Sequence, residues 1–343
     1  MADKWVWLAI ASAAAALGLS RAGFPAALLL GPMLVAIAFG VSGAPLRVPR
    51  WAFLGAQGVV GCLIARAVDP ALLVSLAHDW AIITIVVLAT VIASAFVGWM
   101  LAKFGHLGAS TAAWGSAPGA AAAMTAMSEE FGADPRLVAI MQYVRVLVVV
   151  LTASLVSRIL LGAGNLPVHS TLNGPLWPPL VPLLETAAIA FGGVWVGRLL
   201  RIPAGALLVP LVIGAILHAT GRVEITLPVW LLGLAYAVVG WYIGLIFTRE
   251  TVRVALRALP QLVGATIGLI ALCALSAWML AGLLHVDPLT AYLATTPGGV
   301  DSVAIIALGS GSNVSLILAV QTMRVFVVVL TGPPLAKLIA RYA

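Results

Sequence analysis

Arg145 and Arg324 each stand inside a long apolar stretch, and each follows a glutamine by three residues, Gln142 and Gln321. Residues three apart share one face of a helix, so each Gln–Arg pair presents amide and guanidinium together. Arg145 comes nine residues after Arg136, about 13 Å of helical rise. A charge at that depth costs about 2.5–3.5 kcal/mol to insert into a bilayer, so it must face a cavity or a partner. Two uses fit. The guanidinium holds an anionic solute directly, or it clamps the carbonyl ends of a neighbouring hairpin and fixes the fold.

A second constellation is Ser116-Ala117-Pro118-Gly119 with Thr295-Thr296-Pro297-Gly298-Gly299. Ser or Thr ahead of Pro is a helix-start pattern, with a hydroxyl cap and Pro in the first turn. A helix starting inside a membrane points free N–H groups and a positive dipole end into the protein. Glycine beside it lets a ligand approach the backbone. The segments therefore read as half-helix starts for anionic groups and coupling ions, or else as packing kinks. Asp301, beside Ser302, and Glu185 are acids in apolar surroundings. They suit a Na⁺ or proton site, or they neutralise Arg145 and Arg324.

Other chemistry finds no support. His78, His106, His169, His218 and His285 are scattered, and no carboxylate or cysteine joins them at metal spacing. Phosphate loops, nucleophile elbows and basic DNA-reading helices do not occur. Cys62 and Cys273 form no CxxC. The expectation is a protein that is not an enzyme, with no metal, no cofactor and no nucleic-acid partner.

The elements that must carry these residues are membrane helices. Of 343 residues 63% are hydrophobic and 8% charged, with mean hydropathy +1.15, against roughly 25% charged in soluble domains. Apolar spans are expected at 5–20, 24–41, 51–66, 80–101 and 137–161. Five more follow at 179–197, 203–219, 229–248, 260–284 and 314–340. The Gly/Ala-rich, Pro-interrupted segments 109–130 and 289–312 lie between them.

The chain also repeats itself. A shift of 179 residues pairs Trp51 with Trp230, Gly61 with Gly240, Pro118-Gly119 with Pro297-Gly298, Gln142 with Gln321 and Arg145 with Arg324. Over 137–152 against 316–331, nine of sixteen positions are identical. Near the start the shift is 178, matching Pro25 and Pro32 to Pro203 and Pro210. Residues 1–161 form the first repeat, 162–178 an external linker and 179–343 the second repeat. Residues 5–20 look faintly like a signal peptide, but their counterpart at 181–197 reads them as a retained helix.

Charge chooses between parallel and inverted halves. If each Pro-Gly segment dips in and returns, each half has five spans and the halves are inverted. With cytoplasmic termini, twelve Lys and Arg then lie inside and four outside. Six crossings per half would divide them equally. The positive-inside rule favours the inverted arrangement.

The elements PAALLLGP (25–32) and PAGALLVP (203–210), the Ala-Pro-Gly and Thr-Pro-Gly-Gly segments and the downstream Gln-x-x-Arg-Val resemble the membrane AbrB family over nearly the whole chain. Its members also carry an ammonia-monooxygenase label, which would ask for metal ligands. A transcription regulator would ask for a soluble domain. Neither is present in the sequence. The architecture is similar to glutamate–sodium and 2-hydroxycarboxylate symporters, an analogy of fold alone. The first half carries Ala120 where the second has Gly299, so the second half-site is the expected closer ligand contact.

The sequence thus predicts an all-α polytopic protein of two inverted five-helix repeats, each with a re-entrant Pro-Gly hairpin, in a bacterial inner membrane. Its expected function is ion-coupled secondary transport of a small anionic solute. The expected substrate-contacting residues are Ser116, Pro118, Gly119, Gln142, Arg145, Thr295, Thr296, Pro297, Gly298, Gly299, Gln321 and Arg324. Asp301, Ser302 and Glu185 are expected to couple the ion. Its partners are then the solute, the coupling ion and the bilayer, with room for a homodimer. A membrane regulator or scaffold without flux, and a passive small-molecule channel, are the alternatives.

Overall fold

A computed structural model describes the chain except residues 1, 23, 25, 68–79, 106, 120–123, 125–127, 129–131, 162–177, 203–204, 251–252, 254–257 and 343. The expected linker 162–178, His106, Pro25, Pro203 and Ala120 fall wholly or almost wholly outside what is described.

The described residues are helical and include no strand. In chain order the helices are α1 (Ala2–Arg21), α2 (Ala27–Val41), α3 (Arg50–Ala67), α4 (Trp80–Phe104), α5 (Ala109–Ser116) and α6 (Pro135–Leu161). There follow α7 (Leu180–Leu199), α8 (Gly205–Ala219), α9 (Val229–Gly244), α10 (Leu259–Leu284), α11 (Pro288–Thr295), α12 (Val300–Ser310) and α13 (Val314–Tyr342). Five are long and apolar enough to cross a membrane: α4, α6, α7, α10 and the Val314–Gly332 part of α13. Outward-facing Trp51, Trp80, Trp195 and Trp278 are each about two-thirds exposed or more. Water would reject such a surface, whereas tryptophan suits lipid and its interface.

The chain divides into two compact units, and each draws on both sequence halves. The first comprises Met1–Leu72, Ser154–Arg249 and Ala304–Ser315. Within it α2 packs on α9, and α8 packs on α3. These are the same pairing with the halves exchanged. Glycines set the distance. A Cβ on Gly61 would stand 2.5 Å from the Leu207 carbonyl, and one on Gly240 would stand 2.7 Å from that of Leu29. Pro32 and Pro210, inside their helices, flank the same contacts. Close backbone approach at small residues is how helices associate where lipid removes the hydrophobic drive. Gly240→Val should therefore overpack this contact by at least about 1–3 kcal/mol and lower the melting temperature in detergent. An unchanged melt would show that the contact is dispensable.

The second unit comprises Leu73–Ala153, Glu250–Val303 and Leu316–Ala343. Here α4 packs on α5 and α10 on α11, and α4 meets α10. Two acids begin helices. The Asp134 carboxylate accepts from the Arg136 and Leu137 amides at 2.8 and 3.4 Å, capping α6. That of Asp287 accepts from the Thr290 amide at 2.8 Å, capping α11. Proline follows each acid, taking the first helical position, where no N–H is needed.

Candidate functional site

Both short helices of the second unit stop within an otherwise apolar interior. Each is eight residues long, and each gives way to extended backbone at Ala117 and Thr296. A helix ending away from water leaves carbonyls that must find donors. The Gln–Arg pairs supply them, identically in the two halves.

At the second break, the Gln321 amide donates to the Leu293 and Thr296 carbonyls at 2.9 and 3.1 Å. Arg324 Nη1 donates to the same Thr296 carbonyl at 2.6 Å, and Nη2 to that of Gly298 at 2.8 Å. Nη2 also donates to Gln321 Oε1 at 2.6 Å, locking amide and guanidinium together. At the first break the Gln142 amide donates to the Trp114 and Ala117 carbonyls at 2.9 and 3.0 Å. Arg145 Nη1 donates to the Ala117 carbonyl at 2.7 Å and to that of Ser116 at 3.4 Å. Its Nη2 donates to Gln142 Oε1 at 2.7 Å and to the Gly119 carbonyl at 3.5 Å. All four side chains are buried; Arg145 is 3% exposed and Arg324 1%. The clamp anticipated for the arginines is thus formed in both halves.

The charge balance is informative. Arg145 lies within electrostatic reach of Arg324, and Cys273 within reach of both. Two helix C-termini offset the guanidinia by roughly half a charge each, so the described groups alone sum to about one positive charge, with the Asp301 side chain left out of the count. Among the described side chains neither guanidinium meets a carboxylate. Each Nε–H is buried without a partner.

One expectation is corrected. Ser116 and Thr295 do not cap the start of a helix; they end α5 and α11. Their hydroxyls turn back along their own helices, Ser116 to the Ala113 carbonyl at 3.1 Å and Thr295 to that of Ala291 at 3.1 Å. Short hydroxyl side chains compete for such carbonyls, and the arginines then serve negative helix ends rather than positive ones. The following helix begins later, with Gly299 accepting the Val303 amide at 3.0 Å. Pro297 therefore precedes α12 instead of opening it.

The structure gathers Ser116, Gly119, Gln142 and Arg145 at one break, and Thr295, Thr296, Gly298, Gln321 and Arg324 at the other. Pro118 and Pro297 lie in the extended stretches between. Ser302 is buried in the first turn of α12, 3.5 Å from the Gly299 carbonyl. Asp301 is the second residue of α12, and its side chain lies outside what is described. Glu185 belongs to the first unit, half-buried near the start of α7. His285 ends α10 in the left-handed region, φ 53°.

Sequence reasoning missed two contacts. Ser94 on α4 donates to the Ser116 carbonyl at 2.8 Å. At the repeat-related position, the single Thr295 hydroxyl hydrogen is shared between the Ala291 carbonyl and the Cys273 carbonyl of α10, each at 3.1 Å. Both hold a broken helix to its long neighbour. The signal was Ser94 itself, a hydroxyl buried in an apolar span.

The family model described as "Transition state regulatory protein AbrB" matches residues 28–340. A protein of Escherichia coli (strain K12) named "Putative regulator AbrB" is 45% identical over 99% of this chain and 97% of its own length. The chain belongs to the AbrB family. A second relative, "Uncharacterized protein YhjN" of Bacillus subtilis (strain 168), is 25% identical over 98% of this chain and 93% of its own length. The matched span of the AbrB model includes both breaks and both Gln–Arg pairs.

Proposed function

We propose that this AbrB-family protein is a secondary transporter that carries a small anionic solute across the bacterial inner membrane, coupled to Na⁺ or protons. The observation that carries the reading is the pair of buried guanidinia in one unit without a described carboxylate partner. An uncompensated buried charge is strongly destabilising, and a transported anion would neutralise it. Paired broken helices beside the charges fit the discontinuous segments on which transporters bind solutes near the midplane. In this reading each break is a re-entrant hairpin, and the halves are inverted five-helix repeats. The arginines both clamp the breaks and present their field to the solute, and Asp301 with Ser302 handles the coupling ion.

The inverted arrangement places both termini in the cytoplasm and 162–178 outside, because the twelve-to-four division of basic residues demands it. Reporter fusions should find Ala343 cytoplasmic; an external Ala343 would rule out the inverted arrangement. The functional test is a thermal-shift series on purified protein with mono-, di- and tricarboxylates, phosphate and neutral amides. At least one anion should raise the melting temperature in a concentration-dependent way, and neutral analogues should not. Stabilisation by no anion would favour the regulatory role that the name of the Escherichia coli relative states.

A further inference from the structure

A narrow cleft in the second unit is walled by α4, α5, α6 and α10, and Arg145 is part of its lining. Ser116 and Thr266 are its other polar side chains, while Leu101, Leu262 and Leu269 represent the aliphatic remainder. We infer that the transported solute is a monoanion with an apolar body, seated in this cleft with its charged group at Arg145. The inference rests on the transport reading and adds to it the class of solute.

Donors decide the charge of the guest. The Nη groups of Arg145 are occupied by Ala117, Ser116, Gly119 and Gln142, and only the Nε–H is uncommitted. The Thr266 hydroxyl donates to the Leu262 carbonyl at 2.8 Å, and that of Ser116 to the Ala113 carbonyl at 3.1 Å. One free charged donor serves one anionic group. A second carboxylate would lie unpaired among leucines, a desolvation cost that nothing in the lining repays. An apolar wall with few polar groups is the usual construction of a site that selects by shape while one contact sets orientation.

The test is isothermal titration of the purified full-length protein with butyrate, succinate and butyramide. Butyrate should bind, succinate should bind roughly tenfold more weakly or worse, and butyramide should give no heat. Ala265 lines the cleft, so Ala265→Phe should fill it and abolish butyrate binding without moving the melting temperature. Should that variant misfold, Ala265→Cys replaces it: butyrate should slow its alkylation by N-ethylmaleimide, read as added mass, and succinate should not. Succinate binding as tightly as butyrate, or Cys alkylation indifferent to butyrate, overturns this inference and leaves anion transport standing. Binding of neither anion overturns it, and silence across the wider anion series of the preceding section removes the transport reading as well.

Discussion

Arg324→Ala should yield no monodisperse, folded protein. The substitution strands the Gly298 carbonyl and Gln321 Oε1, which now accept at 2.8 and 2.6 Å, and takes from the Thr296 carbonyl its 2.6 Å donor, leaving it the Gln321 and Gly298 amides. Each buried acceptor left unmet costs about 1–3 kcal/mol, and two together take a large share of a whole folding free energy of about 5–15 kcal/mol. Arg324→Lys keeps the charge but replaces a planar fork by a point charge that cannot span both carbonyls. It should fold, melt several degrees lower and bind the anion more weakly. The first half offers an internal control. Arg145 reaches the Gly119 carbonyl at only 3.5 Å against 2.8 Å for its counterpart, so Arg145→Ala should be the milder loss. Size-exclusion profiles and melting curves of the three variants check this. Wild-type stability in Arg324→Ala would show that the break holds itself.

Asp301→Asn should separate solute movement from its driving ion. Asp301 stands in the first turn of α12, where the helix dipole favours a negative charge. Gly298, three residues before it, accepts from Arg324, so this turn adjoins the buried positive charge. A carboxylate at membrane depth needs a cation, and the nearby Ser302 hydroxyl is a hard oxygen of the kind Na⁺ takes. Removing the charge should abolish accumulation driven by the ion gradient, while solute still exchanges down its own gradient. Counterflow and ion-driven uptake, measured in the same vesicles, distinguish the two. Full ion-driven accumulation in Asp301→Asn would reduce the acid to a partner for the arginines.

Much of this was legible from residue types alone. The apolar stretches found by gaps in charge coincide with the helices to within a few residues, because lipid-facing segments need only length and hydrophobicity. The Gln–Arg pairs declared themselves as charges where charge is expensive, and the 179-residue repeat linked them. What the sequence hid was the polarity of the breaks. Ser116 and Thr295 each stand two positions before Pro, and that pattern fits a helix start. Nothing in it reveals that the next-door carbonyls are already claimed by guanidinium and amide groups 25–29 positions away. Carbonyl acceptors carry no letter in a sequence. The partners of Ser94 and Thr295 were invisible for the same reason, since both are backbone oxygens on other helices. Gly61 and Gly240 are repeat mates in the sequence, but only the Leu207 and Leu29 carbonyls show why neither position tolerates a side chain.

The central claim is that the buried positive charge moves an anion. It is tested most directly by uptake of a labelled anion, chosen from the thermal-shift series, into proteoliposomes of purified protein under an imposed Na⁺ or proton gradient. The account predicts accumulation above equilibrium that collapses when the gradient is dissipated and is weakened in Arg324→Lys. Uptake no faster than in protein-free vesicles, under either gradient and with folded protein, would contradict it.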